Sequence, residues 1–308
     1  MTQSASRTET YVATLIAPEG RLDDALLSRA RAALPAAAEP RWLAPGTAAD
    51  IPFSPDPPAG QSLVARQDLA GRLRAEAGDS FDVVVQPQAG RRKQLFLADM
   101  DSTMIAQECI DELAAYVGLK DHVAAITERA MRGEIAFEPA LRERVALLKD
   151  LPVATVGEVI EKHITLTPGA RTLVQTMRAN GAFTCLVSGG FTLFTEVIAA
   201  TIGFNETRAN TLVLAGDRLA GTVVEPIFGR DAKRAALIEL RGRLGLEADA
   251  TLATGDGAND LDMIAEAGLG VAFHAKPAVA QAAAARIDHG DLTALLYIQG
   301  YRRDEFAA

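Results

Sequence analysis

The sequence predicts an α/β protein, a parallel sheet with helices on both faces, preceded by a small α+β domain. Three observations carry this. From Gln94 onward, apolar runs of strand character recur at "QLFLA" (94–98), "AFTCLVS" (182–188), "ATLAT" (250–254) and "LGVAF" (269–273), with helical runs between them. The first three of these runs lead straight into acids or a Ser-Gly-Gly step, residue types that carry chemistry. Before residue 90 strand and helix alternate on a smaller scale.

Taken in order, the N-terminal region holds a strand-like "TYVATLIA", a helical "LDDALLSRARAAL" and the Pro-rich "APGTAADIPFSPDPPAG". A helical "SLVARQDLAGRLRAEA" and a strand-like "FDVVVQP" follow. Proline density between 35 and 58 predicts no long regular structure there. The basic "QAGRRK" reads as a linker, which sets the expected domains at 1–90 and 91–308. Residues at about 104–165 carry helical periodicity and no convincing strand. They predict several helices inserted after the first strand, forming a lid over the strand's carboxyl end, where open α/β sheets bind ligands. "NTLVLAGDRLAGTVVEP" predicts a hairpin turning at Gly216–Asp217.

Composition narrows the function classes. At 308 residues, 49% hydrophobic and 23% charged, the chain can bury a sizeable core. A net charge of -9 argues against a nucleic acid or an anionic membrane as main partner. Cys109 and Cys185 make no disulfide framework and read as small buried hydrophobes. The histidines, His122, His163, His274 and His289, form no ligand-spaced pair, so any metal is expected on oxygen ligands. No basic stretch precedes a long apolar run at the N-terminus, and no apolar segment reaches the length of a membrane span. The expected location is the cytoplasm.

Four short pieces could share one reaction. In "DMDST", Asp99 and Asp101 on extended backbone project the same way, so one can attack while the other carries a proton. Alone, D-x-D is more often a turn. In "CLVSGGF", Ser188, Gly189 and Gly190 at a strand end before a helix offer a hydroxyl and open backbone N–H groups to a phosphate. An ordinary glycine-rich turn fits as well. Lys233 lies near the start of a helix that Asp231 could cap, where it could neutralise a phosphate, although most basic residues are solvated surface. In "LATGDGANDLDMIAEAGLGVAF", Asp256, Asn259, Asp260 and Asp262 follow a strand. A hairpin at Asp256–Gly257 is the rival reading, and the helical "NDLDMIAEAG" speaks against it. Together the pieces answer one electrostatic problem. A carboxylate approaches a phosphate dianion only beside cations, and Asp99 and Asp256 can hold Mg²⁺ while Lys233 covers further charge.

In this order and spacing, "DMDST", "SGG", the downstream lysine and "GDGAND" resemble the four motifs of the haloacid dehalogenase superfamily of aspartate-based phosphohydrolases. No motif position departs from that pattern. Residues 94–300 resemble the bacterial phosphoserine phosphatases within it, and the N-terminal region more loosely resembles an ACT-like extension. The resemblance implies a Rossmann-like sheet with an inserted helical cap and Mg²⁺-dependent hydrolysis of O-phosphoserine, the last step of serine biosynthesis. Asp99 would be the nucleophile that becomes an aspartyl phosphate. Asp101 would protonate the leaving oxygen and then activate water. Asp99, the Asp101 backbone carbonyl and Asp256 would bind Mg²⁺. Ser188, Gly189, Lys233 and Asn259 would hold phosphoryl oxygens, and Asp260 would order the metal's waters or Lys233. In the lid, Glu108 would meet the substrate ammonium, Arg144 would grip its carboxylate, and Met131 and Phe137 would enclose it. The residues themselves support only Arg144, which shares an apolar helical face with Phe137, Leu141 and Leu148; a snorkelling arginine fits that face equally well.

Other readings stay open to different degrees. A receiver-like domain also phosphorylates an aspartate, but Asp101, the helical insertion and "GDGAND" argue against it. An inactive amino-acid-binding regulator is opposed by the intact motifs. A phosphatase or phosphotransferase for another small phosphomonoester shares every catalytic residue. An amino-acid ligand for the first domain and a homodimeric assembly are left undecided by sequence.

Overall fold

A computed structural model describes residues 10–55, 62–78 and 80–307. The chain forms two compact units, one of Met1–Arg92 with Ala285–Phe306, the other of Lys93–Ala284 with the last two residues. None of the described helices is long and apolar enough to cross a membrane.

The first unit runs β1 (Tyr11–Ile16), α1 (Asp24–Ala32), β2 (Arg41–Ala44), β3 (Ala48–Phe53), α2 (Leu63–Ala77) and β4 (Asp82–Pro87). Its antiparallel sheet has the order β2-β3-β1-β4, a split βαβ arrangement. Alternation decides its core. Tyr11, Ala13 and Leu15 of β1 share a face with Ile51, Phe53, Val83 and Val85, and that face meets Leu26, Leu27 and Ala30 of α1 and Leu73 of α2. Both helices start at side-chain caps, with Asp23 accepting from the Leu26 N–H and Ser62 from the Ala65 N–H.

Two features here go beyond the sequence reading. The Pro-rich stretch contains β2 and β3, with Pro52 inside β3. Proline is tolerated because β2 pairs only with Ala48–Asp50 of β3, so no ladder bond on that side is lost, and the Pro52 carbonyl accepts from the Ala38 N–H. The remainder of that stretch, 56–60, lies outside the described residues. The domain boundary also differs, because Ala285–Phe306 groups with the first unit and not the second. Buried polar groups hold it there. Asp82 accepts from the backbone N–H groups of Asp288 and Gly290, both at 2.7 Å. Gln86 donates to the Ile298 carbonyl at 2.6 Å, and Arg91 bridges Asp50 to the carbonyls of Tyr297 and Ile298.

The second unit contains β5 (Leu95–Ala98), a lid of α3 (Cys109–Ala115), α4 (Lys120–Met131), α5 (Phe137–Ala146) and α6 (Ala154–His163), then α7 (Ala170–Ala179), β6 (Phe183–Phe191), α8 (Thr192–Ile202) and β7 (Glu206–Asn210). The hairpin β8 (Leu212–Ala215) and β9 (Arg218–Val223) turns where the sequence places it. There follow α9 (Arg230–Arg243), β10 (Thr251–Gly255), α10 (Leu261–Glu266), β11 (Leu269–Phe273) and α11 (Pro277–Ala282). Parallel strands lie in the order β11-β10-β5-β6-β7. Leu95 and Leu97 of β5, Cys185 and Val187 of β6 and Ala253 of β10 form one face against Ala236, Leu237 and Leu240 of α9. β7, "ETRAN", was invisible to a hydrophobic pattern because it is a polar strand pairing on one side only. The chain leaves β5 for β6 on one side and returns through β10 on the other, which opens a crevice at the carboxyl end of β5.

Candidate active site

Register brings three of the sequence motifs together. Ala98 of β5 pairs with Thr254 of β10 and with Leu186 of β6, so Asp99, Asp256 and Ser188 emerge at the same edge of the sheet. The Asp99 N–H donates to the Thr254 carbonyl at 3.0 Å, which carries the ladder one residue further. Asp99 and Asp101 both keep extended backbone, φ -65 for each, and their carboxylates line one cavity. Between them and the lid the chain makes a tight turn, closed by the Ile105 N–H on the Met100 carbonyl at 3.0 Å. Ser102 in that turn has φ 54, the left-handed region that costs a non-glycine residue about 1–2 kcal/mol. Its side chain gives the reason it is held there, donating to Glu108 Oε1 at 2.7 Å.

Lys233 is completely buried and sits between two carboxylates, 2.7 Å from Asp99 Oδ1 and 2.7 Å from Asp260 Oδ1. Burial alone would pull its pKa down, and the Asp260 and Asp99 carboxylates together raise it. The helix that carries it begins after Gly229. Asp231 lies inside its first turn and makes no capping bond, a correction to the expected cap. Asp260 has both oxygens engaged, the second accepting the Gly257 N–H at 3.1 Å. The Asp256 carboxylate receives, among the described residues, only a long bond from the Thr103 hydroxyl, 3.3 Å. The segment after β10 continues through a short turn at Ala258–Asp260 into α10, so the hairpin reading of Asp256–Gly257 does not apply.

Asp99, Asp256 and Asp260 present oxygens within 4.8 Å of one another. Burial, then the neighbouring Asp260, raises Asp99 well above the usual carboxylate range and Asp256 to about 7. One ammonium cannot balance three buried acids, and the donors are all hard oxygens. The set fits a divalent cation of the Mg²⁺ class. Asp260, with both oxygens bonded, fits a holder of Lys233 better than a ligand.

Asp101 is 6% exposed and accepts from the Cys109 backbone N–H at 2.8 Å and from the Ser188 hydroxyl at 3.1 Å. Burial raises its pKa, which those two donors partly offset. Ser188 Oγ also accepts the Gly190 N–H at 2.8 Å. A Cβ on Gly189 would stand 2.6 Å from the Phe137 ring, and one on Gly190 2.9 Å from Asp101, so close approach and not turn geometry requires both glycines. Asn259 lines the same cavity, with its Oδ1 buried and unbonded among the described residues.

The lid closes over this floor. Glu108, Met131, Phe137, Leu141 and Arg144 line the cavity with Asp99 and Asp101. Burial, then Asp101 and Asp256, raises Glu108 well above its usual range. Arg144 is 2% exposed, so it does not snorkel. Its Nε donates to the Ala140 carbonyl at 3.0 Å and its Nη1 to the Thr127 hydroxyl at 2.8 Å.

Every candidate site residue thus falls around one cavity or on the carboxylates beside it. Sequence reasoning missed the residues that hold the others. Thr103 reaches Asp256, Ser102 reaches Glu108, and Asn210, at the end of β7, donates to the Gly189 carbonyl at 2.8 Å and accepts from the Phe228 N–H at 2.6 Å. Ser102 and Thr103 stand inside "DMDST" and Asn210 ends a polar strand, and small polar residues in such places are too common to single out.

Comparisons agree with this geometry. A family model described as haloacid dehalogenase-like hydrolase matches residues 96–265. A phosphoserine phosphatase of Polaromonas sp. is 47% identical over 208 residues, 66% of this chain and 88% of that protein. Two longer phosphoserine phosphatases are spanned to 61% and 58% of their length. Among solved structures, a hydrolase of the same family from Salmonella enterica serovar Typhi superposes with a TM-score of 0.79 at 28% identity, covering 94% of this chain and 98% of that one. A phosphoserine phosphatase holding a phospho-aspartyl intermediate analogue gives 0.64 at 38% identity, over 67% of this chain and 98% of its own. With the matched motifs gathered around one cavity and the carboxylates beside it, the chain belongs to the haloacid dehalogenase-like hydrolases.

Proposed function

We propose that this enzyme hydrolyses O-phospho-L-serine to serine and phosphate with Mg²⁺, through a phosphorylated Asp99, the reaction class that completes serine biosynthesis. The observation that carries the reading is the charge pattern of the cavity. Two aspartates form its floor, and an acid and an arginine, Glu108 and Arg144, face it from the lid. A phosphomonoester bearing both an ammonium and a carboxylate matches that pattern.

In this reading an Asp99 oxygen attacks phosphorus while the bond to the seryl oxygen breaks, and Asp101 gives that oxygen its proton. Its burial, which favours the neutral form, suits the donor role. Once serine has left, Asp101 takes a proton from a water that attacks phosphorus. The bond from phosphorus to Asp99 breaks and phosphate departs. Ser188, the Gly189 N–H, Lys233 and Asn259 would hold the phosphoryl oxygens. Asp99, Asp256 and the Asp101 carbonyl would hold Mg²⁺, which supplies charge neutralisation for the attack.

The test is phosphate release across phosphoserine, phosphothreonine, phosphohomoserine and sugar phosphates, with Mg²⁺, with Ca²⁺ and in excess chelator. Phosphoserine should be preferred, activity should vanish in chelator, and Ca²⁺ should substitute poorly, since it tolerates bidentate carboxylates that would occupy the attacking oxygen. Asp99→Asn should fall to background; substantial residual turnover would sink the mechanism.

A further inference from the structure

The lid contains a polar chain of which the proposed reaction uses only one end, Arg144. Asp111 of α3, Thr127 of α4 and Arg144 of α5 are linked end to end: Thr127 Oγ1 donates to Asp111 Oδ1 at 2.7 Å and accepts from Arg144 Nη1 at 2.8 Å. Thr127 and Arg144 are each 2% exposed. A hydroxyl has a single proton. The Val123 carbonyl lies 3.0 Å away as a second acceptor, but the carboxylate is closer and charged, so the proton goes to Asp111. That leaves a lone pair turned toward the guanidinium.

The consequence for Arg144 is geometric. A guanidinium is a rigid plane, so two bonds to fixed acceptors set its orientation. One acceptor is the Ala140 carbonyl in its own helix and the other is Thr127 in the neighbouring one. Nη2 has no hydrogen-bond partner among the described residues, and Arg144 lines the cavity. We infer that Thr127, oriented by Asp111, is a positioning residue that aims Arg144 and thereby determines preference for a phosphoester carrying a carboxylate. This rests on the phosphoserine reading and adds its specificity device. Thr127 itself lines no part of the cavity.

A purely structural role, tying three lid helices together, predicts something different, and the two are separable. The measurement is kcat/KM for phosphoserine and for O-phosphoethanolamine, which lacks only the carboxylate, in wild type, Thr127→Val, Thr127→Ser and Asp111→Ala. Thr127→Val keeps the shape and removes the hydroxyl. It should lower the ratio of the two kcat/KM values at least tenfold, mainly through KM for phosphoserine. Thr127→Ser should restore the ratio to within about threefold of wild type, and Asp111→Ala should lower it in the same direction as valine. Equal losses on both esters, or a valine ratio like wild type while wild type still prefers phosphoserine, would overturn the positioning role and leave the phosphoserine reading intact. A wild type without preference for the carboxylate would overturn both.

Discussion

At the scale of single residues, the site is a problem of buried charge. Four aspartates, Asp99, Asp101, Asp256 and Asp260, and one lysine sit out of water at the end of a sheet, where an unpaired ion costs several kcal/mol. Lys233 is therefore structural as well as electrostatic. In Lys233→Met, Asp99 and Asp260 lose their shared counterion, and a buried pair broken on one side is strongly destabilised. Urea denaturation in chelator should show a loss of about 3–5 kcal/mol. A variant as stable as wild type would mean that the neighbouring carboxylates already share protons without the lysine. Ser188 answers the same problem from the opposite sign, because its O–H donates to the Asp101 carboxylate while its oxygen accepts the Gly190 N–H.

Among elements, one aromatic ring of the lid stands directly against the glycine step that ends β6. Phe137, the first residue of α5, packs where a side chain on Gly189 would stand, and a Cβ on Gly229 would reach 3.3 Å from it. Gly189→Ala should thus displace the ring and the start of α5, and lower kcat/KM for phosphoserine at least tenfold. The double variant Gly189→Ala with Phe137→Ala should lose less than the two single losses combined, because the clash exists only when both side chains are present. Strictly additive losses would place the cost at the phosphate contacts of Gly189 alone.

For the whole molecule, the cavity residues all fall between Asp99 and Asn259, inside the second unit. A chain beginning near Gly90 should retain phosphoserine hydrolysis. It should also be less stable, because Ala285–Phe306 loses the Asp82 carboxylate that accepts from the Asp288 and Gly290 N–H groups and the Gln86 amide that donates to the Ile298 carbonyl. Phosphate release together with a thermal melt checks both halves, and a folded but inactive truncation would show that the first unit completes the site.

What the sequence determined by itself was the set of elements whose signal is local. Apolar strands ending in acids, a helical insertion and a Gly-Asp turn are properties of a few neighbouring residues, so β5, β6, β10, β11, the lid and the hairpin were legible, as was the gathering of Asp99, Asp101, Ser188, Lys233 and Asp256 at one end of the sheet. Pairing partners are not local. Pro52 is harmless in β3 only because β2 ends before it, the polar β7 is a strand only because β6 lies beside it, and Ala285–Phe306 joins the first unit only because Asp82 and Arg91 wait there. The same holds inside the site. An arginine on an apolar face could have reached water or turned inward, and its direction was decided by a threonine seventeen positions away in another helix. Free energy of burial chooses between such alternatives only once the surrounding groups are assembled, and that assembly is tertiary structure.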